Sequence, residues 1–431
     1  MGRGGMVRTD QLKLKFRTVS GILKCSGLGR KGVPAGPPGK SGITVVTTFP
    51  VFPPQGGGQN RIYYLYREVA KSVRVEIVSL GNTYDRPLTE EIAPGLWEHR
   101  VPKSIRYAIR EKRIGKHAGI PVTDIAFIDL YERTPGMIEA FRKSSRYSVI
   151  VVSSQPYPFH LVKKYFHGKV VHESHNGEYL LKKQIFSKSN NNEVLLERVF
   201  KAEKEACIES CFTTVCTAHD GRNFERLYGL EPSKMLEVSN GVDTHTIRFC
   251  DETQRRKNRD RVFPDNRTTA LFIASYHQPN IDAVQAIMAF SDCLPQVRFI
   301  IIGSVGMYFE NADVPDNVVF RGVVDDGVKN SLLGAADVAL NPVSSGSGSN
   351  LKMFEYMASG IPVLSTPFGA RGIGGACGLM TVCPLERFAD HLSLCDFEGN
   401  KTKPAREYVE EKHDWRQIAR PFLEALEKSG L

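Results

Sequence analysis

The chain has 431 residues, 41% of them hydrophobic and 24% charged, a composition typical of soluble globular proteins long enough for two or three domains. Residues 1–40 hold nine lysines and arginines against one aspartate, and so eight of the ten net positive charges. The rest of the chain is nearly neutral, which argues against a nucleic-acid-binding protein. No apolar run reaches the roughly 18 to 20 residues of a membrane-spanning helix, and no secretory signal is evident, so we expect a cytoplasmic protein.

The first 40 residues read as a basic tail that runs into a linker rich in glycine and proline (26–42). Residues 10–24 mix cations with apolar side chains, a combination that can bind an anionic membrane surface. Solvated disorder is the alternative for the same residues. The nine cysteines are scattered without the spacing of zinc ligands, which indicates structural thiols in a reducing compartment.

Strands and helices alternate from residue 43 onward. The β-branched run 43–48 predicts a strand, which is followed by a loop of prolines and glycines (49–58) and a helix from Gln59. A strand at 73–80 completes a βαβ unit. Further elements of this half are predicted as strands at 148–154, 169–174 and 211–217, helices at 192–209 and 218–229, and a short strand and turn at 234–243.

A second α/β series follows polar residues 251–267, which are predicted to be a connector or a surface excursion. Its strands are predicted at 270–275, 297–303, 318–322, 337–342 and 360–366, and its helices at 280–292, 325–335 and 351–359. The strands are almost continuously apolar, which indicates parallel sheets covered on both faces. We therefore predict an α/β protein with two Rossmann-like, doubly wound domains that face a central cleft and bind ligand at the carboxyl ends of their strands.

The strongest signal for a binding site lies in residues 341–373. A strand ends at Pro342, a loop of small residues follows, and a helix begins near Leu351. Small residues let a ligand approach closely, and a helix N-terminus offers free N–H groups that suit a diphosphate. Lys352 adds a positive charge, and Glu355 lies on about the same helix face, where its carboxylate can accept two hydrogen bonds from a ribose diol. A glycine-rich turn with an i,i+3 ion pair explains this spacing equally well.

The same segment resembles the donor-site signature of the retaining GT-B glycosyltransferases, which include sucrose synthases and many bacterial mannosyl- and glucosyltransferases. Four other segments resemble that family in the same order along residues 41–431: ITVVTTFPVFPPQGGGQNRIYYL, VSNGVDTHTI, ASYHQPNIDAV and HDWRQIA. The resemblance implies the GT-B fold, with the tail and linker at 1–40, an acceptor domain at 41–242 completed by a C-terminal helix (412–431), and a nucleotide-sugar donor domain at 243–411.

The resemblance also implies which residues bind the donor. Glu355 would contact the ribose and Lys352 the diphosphate, and the glycine loop would face the transferring phosphate. The full set of candidate donor-binding residues is Gly57, Gly58, Ser275, Tyr276, Gly346, Ser347, Gly348, Ser349, Asn350, Leu351, Lys352 and Glu355. Ser347 stands where relatives usually have the first of two glutamates, and residues 275–279 stand where many have an arginine and a lysine. These departures leave the donor sugar open, and Arg371 is a further candidate cation.

The stretch VHESHNGEY (171–179) matches the strand end at which relatives often carry a histidine near the sugar. His175 is the first candidate, and together with Lys352 and Glu355 it forms the predicted catalytic set. His172, Glu173 and Asn176 are candidates for contacts with the acceptor or the sugar. We expect His172 and His175 to lie on the same side of an extended segment.

The expected reaction is transfer of a hexosyl group from a nucleoside diphosphate sugar to a glycan, lipid-linked or small-molecule acceptor, with retention at the anomeric carbon and without a cofactor or bound metal. The resemblance places such an enzyme in polysaccharide biosynthesis, in the cytoplasm or at the inner face of the membrane, with no nucleic-acid partner. Two alternatives stay open. One is a GT-B sugar-nucleotide epimerase, and the other is a non-catalytic nucleotide-sugar-binding scaffold, to which Ser347 lends support.

Overall fold

The computed structural model describes residues 42–186, 192–346, 351–371, 373–394, 397 and 401–431, except for the side chains of residues 374 and 375. The predicted tail and linker up to residue 41, and the candidate donor residues Ser347, Gly348, Ser349 and Asn350, lie outside the described residues. None of the described helices is long and apolar enough to cross a bilayer.

The first half of the described chain alternates strands and helices. Its strands are β1 (Gly42–Thr47), β2 (Val75–Gly81), β3 (Leu88–Ala93), β4 (Leu96–Pro102), β5 (Ser148–Ser154), β6 (Lys169–Glu173), β7 (Thr213–Val215) and β8 (Met235–Glu237). Its helices are α1 (Gly57–Val69), α2 (Ile105–Ala118), α3 (Thr123–Leu130), α4 (Pro135–Ser145), α5 (Phe159–Tyr165), α6 (Glu178–Phe186), α7 (Glu193–Glu209) and α8 (Ala218–Tyr228).

The second half repeats the pattern and ends in helices. Its strands are β9 (Thr268–Ile273), β10 (Val297–Ile302), β11 (Val318–Gly322), β12 (Val338–Asn341), β13 (Val363–Ser365) and β14 (Thr381–Val382). Its helices are α9 (Glu252–Val262), α10 (Gln278–Ser291), α11 (Asp326–Ala335), α12 (Leu351–Ser359), α13 (Phe388–Leu394), α14 (Thr402–Lys412) and α15 (Trp415–Lys428).

These strands form two sheets. The first has the order β3-β4-β2-β1-β5-β6-β7-β8, in which β3 is antiparallel to β4 and the other pairs are parallel. The second has the order β11-β10-β9-β12-β13-β14 and is parallel throughout. The strand order reverses direction between β1 and β5 in the first sheet and between β9 and β12 in the second. Open α/β sheets bind ligands at such reversals. The predicted fold class is therefore confirmed.

Both faces of each sheet are buried, which explains the almost continuous apolar strands. In β1, Ile43 and Val45 belong to one apolar cluster and Val46 to the cluster on the opposite face. In β10, Ile300 and Ile301 divide in the same way between two clusters of the second half. Helices cover each face, so little of either sheet meets water.

Residues 251–267 lie largely at the surface, as one of the two predicted alternatives states, but most of them form helix α9, which the sequence did not predict. Asp251 caps this helix by accepting a hydrogen bond from the Gln254 N–H at 2.8 Å. Arg255 is the buried residue of the helix, and its guanidinium donates to the carbonyls of Leu333, Ala336 and Ser359. A helix held by one buried arginine has no apolar periodicity from which it could be predicted.

The chain crosses between the two halves twice, at residues 240–244 and 413–415. The two crossing segments pair side by side: the Val242 N–H donates to the His413 carbonyl at 2.8 Å, and the Trp415 N–H to the Val242 carbonyl at 3.3 Å. Beyond the second crossing, α15 packs on α1 and joins the apolar cluster of the first sheet. The two sheets are therefore connected by a pair of neighbouring segments.

Candidate active site

The loop between β1 and α1 lies at the carboxyl end of the first sheet and is held at both ends by polar side chains. The Gln59 side-chain oxygen accepts hydrogen bonds from the main-chain N–H groups of Gln55 and Gly56 at 3.0 and 2.9 Å. Glu98, buried in β4, accepts the N–H groups of Val51 and Phe52 at 2.8 and 3.0 Å. The loop is therefore organised before any ligand binds.

The glycines of this loop make room for close contacts. A Cβ atom on Gly58 would lie 3.1 Å from Phe49 Cζ and 3.4 Å from His175 Nδ1. A Cβ atom on Gly57 would lie 3.2 Å from Leu351 Cδ1, on the helix α12 of the other half. The start of α1 is thus enclosed by His175 on one side and α12 on the other.

A cavity of about 410 Å³ opens beside the glycine loop and is called the cleft cavity below. Both halves of the molecule contribute to its wall. It is lined by Phe49, Gly56, Gly57, Gly58, Gln59, Arg61, Gln155, His175, Asn176, Asn240 and Leu351. Among the residues predicted from sequence, it brings together Gly57, Gly58, His175, Asn176 and Leu351.

His175 lies just beyond β6 and is only 6% exposed. Its Nε2 is 2.9 Å from Ser154 Oγ and 3.6 Å from Glu173 Oε1. Its Nδ1 has no hydrogen-bond partner among the described residues. The imidazole is therefore anchored through one nitrogen, while the other is enclosed beside Gly58 without a hydrogen bond.

Glu173 contacts His175 from the interior of the protein. It is fully buried and accepts hydrogen bonds from Arg61 Nε at 2.9 Å and from the Tyr66 hydroxyl at 3.2 Å. Burial alone would raise the pKa of Glu173, but His175 and Arg61 hold it at about 2. Glu173 is thus an ionised carboxylate enclosed by protein, and it does not line the cleft cavity.

The expectation that His172 and His175 share a side is wrong. His172 lies inside β6, is fully buried, and has its pKa lowered to about 4 by that burial. Residues three apart on an extended segment point in opposite directions, and His175 lies past the end of the strand. His172 does not line the cleft cavity.

The second half contributes Lys352 from the first turn of α12. Its Nζ donates to Asn280 Oδ1 at 2.9 Å and lies 4.3 Å from the centre of the Phe272 ring. Burial lowers the pKa of Lys352 to about 7. The Asn280 amide in turn donates to the Ser275 carbonyl at 3.0 Å, so the structure brings Ser275 near Lys352.

Tyr276 and Gly346, two further donor candidates among the described residues, lie around the start of α10. Tyr276 is exposed, and its main-chain N–H donates to Ser304 Oγ at 2.8 Å. Gly346 has a φ of +118°, which favours glycine, and a Cβ atom there would lie 3.1 Å from Pro279 Cγ. Arg371 packs on the ring of Phe368 and does not line the cleft cavity.

Glu355 lies one turn after Lys352 and is paired with a residue that the sequence did not single out. Its Oε1 is 2.9 Å from the Nζ of Lys329, which is also 3.2 Å from Asp326. Burial alone would lower the pKa of Lys329, but these two carboxylates raise it above its usual value. Glu355 and Lys329 line a small cavity of about 40 Å³, to which Leu351 also contributes.

Arg61 was also missed. It is 1% exposed, lines the cleft cavity, and donates to Glu173 and to Asn240 Oδ1 at 3.1 Å. Its position four residues after Gly57 puts it on the same helix face as the glycine loop, which was the available signal. Lys329 had no such signal, because its contact with Glu355 depends on how α11 packs against α12.

No group of three or more His, Cys, Asp or Glu among the described residues is arranged to hold a metal ion.

Two doubly wound sheets, parallel except for the edge strand β3, share a cleft at their carboxyl ends and define the GT-B fold, the class of the glycosyltransferases suggested by the sequence. Residues 267–394 match the family model Glycosyl transferases group 1. This range contains Lys352 and Glu355, so the resemblance to group 1 glycosyltransferases is confirmed for the second half of the chain. The cleft cavity and the matched range meet at Leu351.

Individual relatives are distant. A phosphatidyl-myo-inositol mannosyltransferase of Mycobacterium leprae (strain TN) is 24% identical over 147 residues, which are 32% of this chain and 37% of that protein. Sucrose-phosphate synthase from Thermosynechococcus elongatus superposes with a TM-score of 0.71 at 16% identity, over 90% of this chain and 99% of that one. Anabaena HepE in complex with UDP and glucose superposes with a TM-score of 0.64 at 12% identity, over 90% of this chain and 100% of that one. At these identities the structural likeness shows the fold.

Proposed function

We propose that this protein transfers a hexosyl group from a nucleoside diphosphate sugar to an acceptor, with retention at the anomeric carbon. The observation that carries the proposal is that the range matched to group 1 glycosyltransferases contains Lys352 and Glu355 and begins its α12 helix against the glycine loop of the other half. HepE was crystallised with UDP and glucose, which supports a donor of this kind.

In this proposal the diphosphate of the donor lies at the start of α12, between Leu351 and the glycine loop. The bond from the sugar to the diphosphate breaks with oxocarbenium-like character, and the leaving group gains negative charge. Lys352, the leading N–H groups of α12 and the start of α1 stabilise that charge, because a helix N-terminus carries a partial positive charge. We propose that these groups suffice without a metal ion.

The remaining residues act on the sugars. Glu355 accepts hydrogen bonds from the ribose, and His175, which lines the cleft cavity, contacts the transferring sugar with its ring fixed by Ser154 and Glu173. The acceptor enters from the side of the first half. The named substrate of the mycobacterial relative is a phosphatidyl-inositol lipid, so a lipid-linked acceptor at an anionic membrane is one candidate, alongside glycans and small molecules.

The test begins with a thermal-shift panel of UDP-, GDP-, ADP- and TDP-sugars, because a ligand that binds the native state raises the melting temperature. The donor that binds is then incubated with glycan and lipid acceptors, and the anomeric configuration of the product is read by NMR. A retained configuration supports the proposal. Interconversion of the sugar nucleotide without acceptor indicates an epimerase, and binding without transfer or hydrolysis indicates a scaffold; either result rejects the proposal.

A further inference from the structure

The turn Ser174–Gly177 joins β6 to α6 and carries His175 and Asn176 into the cleft cavity. One end of this turn is fixed by the sheet. The other end is the first turn of α6, whose leading N–H groups have no partner within the helix. What holds those N–H groups therefore decides how firmly His175 and Asn176 are placed.

A carboxylate from a different helix holds them. Glu203 lies on α7 and is fully buried. Its Oε1 accepts the main-chain N–H of Glu178 at 2.6 Å, and its Oε2 accepts that of Tyr179 at 3.0 Å. The Tyr228 hydroxyl on α8 donates to the same carboxylate. All three partners are donors, so the arrangement fits an ionised carboxylate, which only accepts hydrogen bonds.

The groups that face Glu203 come from every element packed against it. Glu178 on α6 carries a second buried carboxylate, which accepts the Tyr157 hydroxyl at 2.7 Å. Cys207 lies one turn further along α7, and burial raises the pKa of its thiol. Burial likewise raises the pKa values of Glu178, Tyr157 and Tyr228, and it raises that of Glu203 to about 7.

We propose that Glu203 is a positioning residue for the proposed transfer: its ionised carboxylate fixes the first turn of α6 and thereby holds His175 and Asn176 in the cleft cavity. When Glu203 takes up a proton, its carboxyl group loses the negative charge, and the hydrogen bonds that it accepts from the N–H groups of Glu178 and Tyr179 become weaker. The inference rests on the proposed function, because it assigns a role in that reaction.

The sign of the pH effect separates this role from a purely structural one. The pKa of Glu203 is higher in the folded protein than in the unfolded chain, so folding favours the protonated form and the titration of Glu203 itself does not lower stability as the pH drops from 8 to 6. The cap, in contrast, weakens over the same interval. Activity should therefore fall as the pH drops through about 7 while the protein stays folded.

The test compares Glu203→Gln with the matched control Glu205→Gln. Glu205 lies on the same helix, is 42% exposed, and pairs with His160 at the surface. At pH 8 we expect Glu203→Gln to lower kcat about tenfold with a melting temperature equal to or above that of the native protein, and to remove the acid limb of the pH profile. Glu205→Gln should keep both the native kcat and the acid limb. A Glu203→Gln variant with native kcat and an unchanged acid limb would overturn the proposal.

A second measurement does not depend on any activity. Hydrogen exchange of a peptide covering residues 174–181, corrected for the intrinsic pH dependence of exchange, reports on the capped N–H groups of Glu178 and Tyr179. We expect faster exchange in Glu203→Gln than in Glu205→Gln at pH 8, and convergence of native and Glu203→Gln rates at pH 6. Equal rates at pH 8 would reject the positioning role, whereas a native protein that binds no sugar nucleotide would reject only the proposed function.

Discussion

The ammonium group of Lys352 lies against Phe272 and Asn280 in the free protein, and these surroundings disfavour its charged form. Its pKa is lowered from 10.5 to about 7, so folding disfavours the ammonium form, and the resulting loss of stability is complete below pH 7 and absent above about pH 10.5. A diphosphate at the start of α12 would supply the missing counter-charge. Binding of an anionic donor should thus be coupled to proton uptake.

We expect Lys352→Met to raise the free energy of unfolding by about 1–3 kcal/mol at pH 6 and by less at pH 10, because it removes a cation whose charged form is disfavoured by folding. The same variant should bind the donor nucleotide at least tenfold more weakly. Urea unfolding at the two pH values and calorimetric titration check the two effects. Lys71→Met, which removes a lysine that is 60% exposed, is the control. Lower stability in Lys352→Met at pH 6 would contradict this account.

Lys329 gives Glu355 a fixed partner, and this bears on how the nucleotide sugar is recognised. With Oε1 paired to Lys329, the carboxylate is held in one orientation and keeps other lone pairs for a ribose diol. The proposed ribose contact then depends on two residues, one from α12 and one from α11.

The measurable consequence is discrimination between a ribonucleoside diphosphate and its 2′- and 3′-deoxy analogues. We expect the native protein to prefer the ribonucleotide by roughly tenfold or more, Glu355→Ala to lose that preference, and Lys329→Met to reduce it several-fold, since a freed carboxylate must be ordered again on binding. Dissociation constants from calorimetry provide the ratios. Lys403→Met, at a surface pair on α14, should keep the native ratio. A native ratio in Lys329→Met would exclude a positioning role for Lys329.

At the scale of single elements, the start of α1 shows why the glycines Gly56 and Gly58 are not equivalent. A Cβ atom on Gly56 would meet only Gln59 Oε1, at 3.6 Å, whereas one on Gly58 would meet both Phe49 and His175. An alanine in either place is compatible with the backbone, and at Gly58 it would favour the helix by up to about 1 kcal/mol. Contact with Phe49 and His175, and not helix stability, is what distinguishes the two positions.

Gly58→Ala should therefore lower kcat/KM by about tenfold or more without loss of thermal stability, because its methyl group displaces His175 or fills part of the cleft cavity. Gly56→Ala should stay within twofold of the native value. Steady-state kinetics and melting curves on the pair make the comparison. Equal activity of the two variants would contradict this explanation.

The sequence predicts elements best where their apolar pattern is complete. The strand 43–48, the helix 192–209 and the helix 351–359 lie within two residues of β1, α7 and α12, because each buries a regular stripe or run. Helix α9 was missed because Arg255, an arginine, is its anchor. For the same reason only part of the candidate site can be predicted from the sequence. Glycines and a histidine at strand ends can be recognised, but Glu203 and Lys329 act through contacts between helices that no local spacing encodes.

For the whole molecule, the paired crossing segments set how the two halves meet. Gly241 lies where they touch: a Cβ atom there would be 2.6 Å from Ile418 Cδ1, 2.7 Å from the His413 carbonyl and 3.0 Å from the Trp415 ring. Asp414 joins the segments by accepting hydrogen bonds from Thr244 and Arg416. No other residue type than glycine fits at position 241 without moving one segment away from the other.

We expect Gly241→Ala to lower the free energy of unfolding by about 1–3 kcal/mol through overpacking, and to weaken donor binding because Gly57 and Leu351 no longer meet across the cleft. Gly378→Ala is the control, since a Cβ atom there meets nothing within 4 Å. Urea unfolding and a donor titration of both variants provide the check. A native unfolding midpoint in Gly241→Ala would show that the segments are free to separate.

The position of α15 also governs the order in which the molecule can be completed on the ribosome. Trp415, Ile418, Phe422 and Leu426 fill the core beside α1, yet they follow the whole second sheet along the chain. Until the other half has emerged, the half that is synthesised first has an apolar face of α1 exposed to water. We infer that nascent chains stopped before residue 415 are targets for chaperones and aggregation, even though they contain every strand of both sheets.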